Sequence, residues 1–360
     1  MGFLMGIIAF VILLPVIVFV HEFGHFLFAR INGVRVESFS IGFGPSLFSW
    51  TDKHNTVWKV SAVPLGGYVK MLGQSDTPES SKEKAKKSKK LTAKDRAESF
   101  EFKKRYQKAS IVFAGPFFNF VFGFLVFFSL YFFTGISNTS TVVMEVIKDS
   151  PAYTSGIKAG DVILSIDGES VKNSRKISNL IKKSNGKKII VKVKRDDKDL
   201  SISVTPEKKG NTYFLGVSYT SRFENYRRVG FTSAVIEAYN SVANIVTDTM
   251  HSLGEMIVGT RSSKELGGMI SIAKVSGDAL SAGLYAFLYL MAFISISLGL
   301  FNLFPIPVLD GGYLFIYMIE GIIRRDIPEK VKQVIFFIGF IFIIFLLLIS
   351  NFNDVVRIIK

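Results

Sequence analysis

Four long apolar stretches alternate with polar segments, and each is near the roughly 20 residues that a helix needs to cross a bilayer core. They run from Gly2 to Ala29, from Ile111 to Ile136, from Ala279 to Leu309 with a continuation to Ile319, and from Val334 to Phe352. We interpret each stretch as a transmembrane helix. A secretory signal peptide is the alternative for the first stretch, but that stretch has no basic N-terminal region and no clear small-residue cleavage site.

The segments between these stretches carry strand patterns. Val34 to Ile41 alternates and is rich in β-branched residues, while Leu47 to Thr51 and Thr56 to Val60 flank a polar turn. This pattern predicts a small antiparallel sheet directly after the first span. Four short β-rich runs and a helical stretch within Thr141 to Thr205 predict a soluble α+β domain.

Three further segments have simpler patterns. Gln74 to Glu98 is polar and lysine-rich, which is typical of a cytoplasmic linker. Phe100 to Lys108 mixes aromatic and basic residues and predicts a juxtamembrane helix. Asn225 to Gly259 has the apolar spacing of an amphipathic helix.

The composition narrows the class of protein. Hydrophobic residues make up 49% of the chain, and their clustering in nearly charge-free stretches excludes both a purely soluble enzyme and a disordered protein. The chain contains no Cys, which excludes disulfides, thiolate metal sites and a cysteine nucleophile. The net charge of +15 could indicate nucleic-acid binding. In a membrane protein it indicates basic loops beside anionic lipid, so we expect the lipid bilayer as a partner and no nucleic acid.

The distribution of basic residues predicts the orientation of the chain. The loop from Arg30 to Lys108 holds 17 Lys and Arg against 8 acidic residues, and the loop after the third span is also basic. Both loops should therefore lie in the cytoplasm. With four spans, the long segment from Ser137 to Asp278 must lie on the opposite face of the membrane.

Ionisable residues inside the spans are few and are by default functional, because a charge in the bilayer costs about 3 kcal/mol or more. Three of them form the motif His21-Glu22-Phe23-Gly24-His25. On a helix, His21 and His25 share one face and can bind one metal ion. This is the H-E-x-x-H arrangement of zinc proteases, in which Glu22 would be the general base. The alternative is a polar end of the span, but Arg30 already marks that end.

The third ligand should be a carboxylate or an imidazole at similar depth. Asp310 is the only candidate in the other spans, and spans one and three run in the same direction. Asp310 could also cap a short helix that begins at Gly311. Pro305 and Pro307 break the helix just before it, and irregular backbone at membrane depth is tolerated only where it lines a cavity or is buried in protein.

These motifs together resemble the site-2 protease family of intramembrane zinc metalloproteases, and are close to its bacterial regulator-of-sigma-E protease (RseP) branch. H-E-F-G-H in the first span and N-L-F-P-I-P-V-L-D-G, from Asn302 to Gly311, carry the resemblance. S-I-G-F-G-P and P-L-G-G-Y-V-K look like the family's membrane-associated β-loop, and A-G-P followed by Asn119 opens the second span as in the family. The segment from Ser150 to Gly168 resembles a PDZ domain of bacterial proteases.

The resemblance implies a fold and a set of site residues. The fold is a polytopic α-helical membrane protein with four transmembrane helices, a membrane-associated β-loop and one inserted PDZ (α+β) domain. The implied zinc (Zn2+) ligands are His21, His25 and Asp310, the catalytic base is Glu22, and the substrate-binding residues are Asn302, Pro305, Pro307, Gly42 and Gly44. The expected segments are 1–30 (transmembrane helix 1 with the zinc motif), 31–73 (β-loop), 74–110 (cytoplasmic linker and juxtamembrane helix), 111–136 (transmembrane helix 2), 137–220 (PDZ domain), 221–278 (amphipathic helical region), 279–320 (transmembrane helix 3 with the third ligand), 321–333 (cytoplasmic loop) and 334–353 (transmembrane helix 4).

We therefore predict a zinc metalloendopeptidase that performs regulated intramembrane proteolysis. By resemblance, its substrates are single-pass proteins such as anti-sigma factors after a first outer-face cut, and also remnant signal peptides. The expected location is a bacterial inner membrane, with the PDZ domain periplasmic and the zinc site near the cytoplasmic side. The alternatives are a membrane metal-ion transporter, which intramembrane His and Asp would suit, and a catalytically inactive PDZ scaffold.

Overall fold

The predicted apolar stretches form helices in the structure, a computed structural model that describes residues 2–74, 92–137, 141–171, 174–209, 212–219, 226–260, 262 and 267–359. In chain order the helices are α1 (Gly2–Ile31), α2 (Ala93–Glu98), α3 (Arg105–Phe133), α4 (Pro151–Ser155), α5 (Ser174–Lys183), α6 (Phe231–Val258), α7 (Met269–Ser281), α8 (Leu284–Asn302), α9 (Asp310–Ile323) and α10 (Glu329–Ile359). Within the described residues, α1, α3, α8 and α10 are long and apolar enough to cross a membrane. The prediction of four spanning helices is confirmed.

The helix ends differ from the predicted spans in places. Helix α3 begins at Arg105, six residues before the predicted span, so part of the expected juxtamembrane segment continues the spanning helix. The start of the predicted third span belongs to α7, and α8 begins only after Gly283, whose φ of +114° ends α7. Most of the predicted linker, including its lysine run, lies at residues 75–91, outside the described residues.

The chain divides into two compact units, the first comprising residues 1–128, 237–256 and 262–360 and the second residues 129–236 and 257–261. In the first unit, α1 packs against α8. Ala9, Leu13 and Ile17 on α1 are buried together with Phe287 and Met291 on α8. Because these side chains are apolar and close-packed, α1 is held in place along the half that precedes its polar motif.

An antiparallel sheet packs against the other half of α1. Its two long strands, β1 (Val36–Thr51) and β2 (Val57–Met71), both bend, so that Ser38 pairs with Lys70 on one side and with Val57 on the other. The first part of β1 therefore lies between the two parts of β2, and residues 67–71 form one edge of the sheet. Phe39 is fully buried against this half of α1 and anchors the sheet there.

The second unit is an α+β domain built around the sheet β6–β5–β7–β8. Its strands are β3 (Ile136–Ser137), β4 (Val143–Val146), β5 (Val162–Ile166), β6 (Glu169–Ser170), β7 (Ile189–Arg195), β8 (Lys198–Val204), β9 (Glu207–Lys209), β10 (Thr212–Phe214), β11 (Val217–Tyr219) and β12 (Tyr226–Arg227). Strand β7 alternates buried and exposed residues, as expected for a sheet with one face on the core. The four predicted strand runs and the helical stretch at α5 are all present.

Candidate metal centre

Two imidazoles and one carboxylate converge between α1 and the start of α9. His21 and His25 lie one turn apart on α1, and their Nε2 atoms are 3.2 Å apart. One carboxylate oxygen of Asp310 lies 3.2 Å from Nε2 of His21, and the other lies 3.6 Å from Nε2 of His25. The three side chains are only 12 to 18% exposed. Among the described residues, these three form the group that could hold a metal ion.

A tight turn places Asp310 in this position. After α8 ends at Asn302, the amide of Leu309 donates to the carbonyl of Ile306 over 3.1 Å, with Pro307 and Val308 between them. Val308 has a φ of +85°, so this is the pattern of a type II turn with Pro at the second position. Asp310 is the first residue of α9, whose N-cap is Leu309, and no side chain caps that end. The alternative of Asp310 as a cap is therefore wrong, and its carboxylate faces the imidazoles instead.

Residues on one face of α3 contact both imidazoles. The Nδ1 atom of His25 lies 2.9 Å from the carbonyl oxygen of Ile111, and Nδ1 of His21 lies 3.2 Å from the side-chain amide of Asn119. Gly115 lies between these two residues, and a Cβ atom there would be 2.3 Å from Nε2 of His25. Ile111, Gly115 and Asn119 follow one another at intervals of four, so they share one face of the helix.

The convergent atoms fit a zinc ion. Ligands about 2.05 Å from a tetrahedral zinc lie about 3.3 Å from one another, close to the 3.2 Å between the two Nε2 atoms and the 3.2 Å between Nε2 of His21 and the nearer oxygen of Asp310. The carbonyl of Ile111 can only accept a hydrogen bond, so Nδ1 of His25 carries the proton and its Nε2 presents a lone pair. Two imidazoles and a carboxylate are a common ligand set for a zinc site that keeps a position open for substrate.

A cavity of about 640 Å³ opens beside these side chains. Its lining includes His21, Glu22, His25, Asp310 and the sheet edge from Gly67 to Val69. A Cβ atom at Gly67 would be 3.0 Å from Cγ of Glu22. The absence of a side chain there lets the backbone of the edge strand pass directly beside Glu22.

The predicted substrate-binding residues are not all at this cavity. Asn302 lines it, at the end of α8, whereas Gly42, Gly44, Pro305 and Pro307 are outside its described lining. Pro307 packs against α10, where a Cβ atom on Gly339 would be 2.5 Å from it. Gly42 and Gly44 have φ values of +89° and +86° and form the bend of the sheet.

Several residues at the site have no role predicted from the sequence. The four-residue spacing of Ile111, Gly115 and Asn119 was the available signal for the support from α3. Glu320 also lines the cavity, although it is only 3% exposed, and it accepts hydrogen bonds from Lys332 at 2.7 Å and from the amide of Ile327 at 2.9 Å. It is the last residue of the expected segment 279–320, at the end of the span, where a carboxylate is not unusual.

Comparison with known proteins places the chain among metalloproteases. The model of "Peptidase family M50" matches residues 9–346. A provisionally named zinc metalloprotease of Agrobacterium fabrum is 36% identical, with 98% of this chain and 97% of that protein covered. One from Rickettsia conorii is 33% identical over 98% of this chain and 99% of the relative. One from Clostridium perfringens is 31% identical over 94% and 95%.

Two solved structures are similar to part of the chain. They are the PDZ domains of SdrC-like proteins from Listeria monocytogenes and Listeria innocua, at 26% and 28% identity. The first covers 23% of this chain and 90% of its own, and the second covers 25% and 99%. The TM-score is 0.21 for each.

Proposed function

The chain belongs to peptidase family M50 and is a zinc metalloprotease, and from this premise we propose that it is an intramembrane endopeptidase of the site-2 protease type. The observation that carries the proposal is the convergence of His21, His25 and Asp310, with Glu22 beside them, on or next to helices long enough to span a membrane. A soluble protease has no need to build this group from membrane-spanning helices, since ionisable side chains there are costly.

Glu22 is the proposed general base and acid. Zinc, when bound to His21, His25 and Asp310, supplies Lewis-acid activation of water and of the scissile carbonyl. Glu22 takes one proton from the attacking water as the new C–O bond forms. It then delivers this proton to the amide nitrogen as the C–N bond breaks, so that the products are a carboxylic acid and an amine. Glu22 is suited to this role because it lines the cavity and lies between the two imidazoles in sequence without being one of the three convergent ligands.

We test the function with purified protein and transmembrane peptides. Glu22→Gln should retain zinc and lose cleavage, and a zinc chelator should abolish cleavage by the wild type. Glu101→Gln is the matched control, because Glu101 also lines the cavity but lies on the short 3-10 turn Phe100–Phe102. It should cleave at the wild-type rate. Wild-type turnover by Glu22→Gln would remove the general-base role, and zinc transport across vesicles without any cleavage would favour the transporter alternative.

The substrate binds, in this proposal, as an added strand on the edge formed by residues 67–71. A peptide bond inside a helix is inaccessible to a protease, so the substrate must be extended at the cut. Within the described residues, the edge from Gly67 to Met71 pairs only with the first part of β1, and it passes beside Glu22. Where it lines the cavity, from Gly67 to Val69, the edge can offer backbone N–H and C=O groups to an extended peptide. Asn302 is the proposed side-chain partner of the substrate backbone, because it lines the same cavity and its amide both donates and accepts.

Methylation of the substrate's backbone amides distinguishes strand addition from binding as a helix or through side chains alone. Single N-methyl groups are placed along the backbone of one cleavable peptide. Because successive residues of a strand point their N–H groups to opposite edges, N-methylation should raise KM at every second position near the cut. The positions between them are the internal controls. A smooth or random dependence on position would contradict strand addition.

The finer assignments rest on the motifs of the chain. The H-E-F-G-H and L-D-G segments and the PDZ-like segment support a regulator-of-sigma-E type protease of a bacterial inner membrane, with anti-sigma factors and remnant signal peptides as substrates. Residues 137–220, within the second unit, are the proposed PDZ domain, on the extracytoplasmic side. It serves as a filter for substrates with bulky outer domains, since PDZ domains bind peptide termini on a sheet edge.

A further inference from the structure

The buried side chain of Asn119 contacts a proposed zinc ligand, and one of its two polar atoms has no hydrogen-bond partner in the described residues. The residue is fully buried on α3, and its side-chain nitrogen lies 3.2 Å from Nδ1 of His21. Its side-chain oxygen is buried and has no hydrogen-bond partner within the described part of the chain. Its own backbone carbonyl accepts a hydrogen bond from Ser295 of α8 over 3.0 Å, which fixes this turn of α3 beside the site.

The tautomer of His21 decides which end of this amide must face the imidazole. A histidine that binds a metal through Nε2 carries its proton on Nδ1, and that proton needs an acceptor. An amide nitrogen is only a donor, whereas the amide oxygen is an acceptor. Rotation of the amide by 180° brings the unpartnered oxygen to Nδ1 of His21. The same rotation gives the buried side-chain oxygen of Asn119 a donor and turns its side-chain nitrogen to the position that the oxygen occupied.

We propose that Asn119 is a positioning residue for the zinc site, whose side-chain oxygen accepts the Nδ1 proton of His21 and so fixes its metal-binding tautomer. The proposal rests on the assignment of His21 as a ligand. His25 has the equivalent partner in the carbonyl of Ile111, two turns away on the same face of α3. Both imidazoles are therefore oriented from one helix, and Gly115 leaves the space between the two contacts. Partners of this kind usually contribute about 10- to 100-fold to metal affinity.

The first test leaves Asn119 and the proposed zinc ligands unchanged. The chain contains only four histidines, so nitrogen NMR of ¹⁵N-histidine-labelled, zinc-loaded protein can resolve each ring, with His54→Gln and His251→Gln used to remove the other two signals. We expect His21 to carry its proton on Nδ1, slowly exchanging, and its Nε2 to bind the metal. A proton on Nε2 of His21 in the zinc-loaded protein would overturn the proposal.

The second test measures zinc affinity by competition with a chelator. Asn119→Leu keeps the size of the side chain but removes the acceptor, and it should weaken zinc binding by about 10- to 100-fold. Asn119→Asp restores an acceptor and should recover most of the affinity. Ser297→Ala is the matched control, since it removes another buried side-chain oxygen without a partner in the described residues, on α8, and should bind zinc as the wild type does.

The outcomes separate this proposal from the proposed protease function. Wild-type zinc affinity in Asn119→Leu would overturn the role of Asn119 while leaving the protease intact. Equal zinc loss in Asn119→Leu and Asn119→Asp would mean that the site needs the shape of Asn119 and not its acceptor, which also contradicts the proposal. A wild-type protein that binds no zinc would instead remove the proposed function itself.

Discussion

At the residue scale, the break between α8 and α9 places two polar side chains at the cavity with different chemistry. Asn302 ends α8 and Asp310 begins α9, and both line the cavity. Asp310 is anionic, and binding a cation offsets the cost of its burial. Asn302 is neutral and suited to the backbone of a peptide. The two residues should therefore fail in different ways when they are truncated.

We predict that Asp310→Ala loses zinc and activity together, because one of three ligands is removed. Asn302→Ala should retain zinc and bind substrate less well, by about 1 to 3 kcal/mol for the substrate groups left without a partner. Metal analysis of both purified variants, combined with KM for one peptide, distinguishes them. Full zinc occupancy in Asp310→Ala would exclude it as an essential ligand, and equal zinc loss in both variants would mean that Asn302 has the wrong role.

We predict that Gly115→Ala disrupts the zinc site without any change in a polar group. The added methyl group would lie 2.3 Å from Nε2 of His25 and 2.9 Å from Cε1 of His21, so both rings must move. Overpacking of this kind costs about 1 to 3 kcal/mol, and here it falls on the ligands. Gly321→Ala is the control, since a methyl group on that turn of α9 meets nothing within 4 Å. Zinc content should fall in the first variant only, and equal zinc content in both would contradict this packing argument.

The ligand candidates could be predicted from the sequence, because ionisable residues in apolar stretches are rare and His21 and His25 have helical spacing. The support from α3 could not. Asn119 and Gly115 are ordinary residues of an apolar helix until the crossing with α1 is known, and a glycine at a crossing differs from any other glycine only in what lies opposite it. Gly42 and Gly44 form the bend of the sheet, and their implied role in substrate binding stays a prediction.

At the scale of elements, local sequence patterns predicted which helices and strands form. The pairing of residues distant in the chain could not be predicted in the same way. The alternation in residues 34–60 predicted an antiparallel sheet, and the sheet is present. The bend of both strands and the place of residues 67–71 at the edge beside the cavity could not be predicted, because register depends on what packs across the bend. The type II turn before Asp310 is a similar case, since Val308 occupies a position that normally requires glycine.

A buried ion pair connects two elements of the second unit. The fully buried carboxylate of Asp161 accepts hydrogen bonds from Arg195 at 2.6 and 2.7 Å and from the amide of Lys158 at 2.9 Å. Burial alone would raise the pKa of Asp161, but these hydrogen bonds and the positive charge of Arg195 outweigh it and hold the pKa below its usual value. The pair therefore stabilises the unit above the unfolded-state pKa of about 3.9, and this stability is lost as the pH falls through the lower folded-state pKa.

We predict that Arg195→Met destabilises the second unit by about 1 to 3 kcal/mol at pH 7, because it leaves a buried acceptor without its partner. The difference from the wild type should shrink below about pH 4, where the carboxylate is protonated in the unfolded state. Hydrogen exchange at the amides of β5 and β7 in the full-length protein measures it. Lys194→Met, which removes an exposed pair with Asp197 on the same sheet, is the control and should exchange as the wild type does. A penalty for Arg195→Met that does not change with pH would exclude the ion pair as its cause.

At the scale of the whole molecule, the distribution of charge and the number of spanning helices together determine which segments share a side of the membrane. The sheet of β1 and β2 follows one spanning helix, and the second unit begins after two. The loop between α9 and α10 follows a third spanning helix. The sheet and this loop should therefore lie on one side, where the excess of Lys and Arg indicates the cytoplasm, and the second unit should lie on the other.

We predict that labelling of single cysteines follows this division. The natural chain has no Cys, so each variant carries one reactive thiol without further changes. Ala159→Cys, on an exposed turn of the second unit, should react with an impermeant maleimide in cells whose inner membrane is intact. Lys53→Cys in the turn of the sheet and Arg325→Cys after α9 are at exposed positions too and should react only after the membrane is opened. Full labelling of all three after opening shows that each thiol is accessible, and retained peptide cleavage shows that each variant is folded.

Labelling of Lys53→Cys in intact cells would reverse the orientation and with it the proposal that the protease site is near the cytoplasmic side. Labelling of Ala159→Cys and Lys53→Cys from the same side would mean that α3, which lies between them in the chain, does not span the membrane, and the four-span topology itself would be wrong.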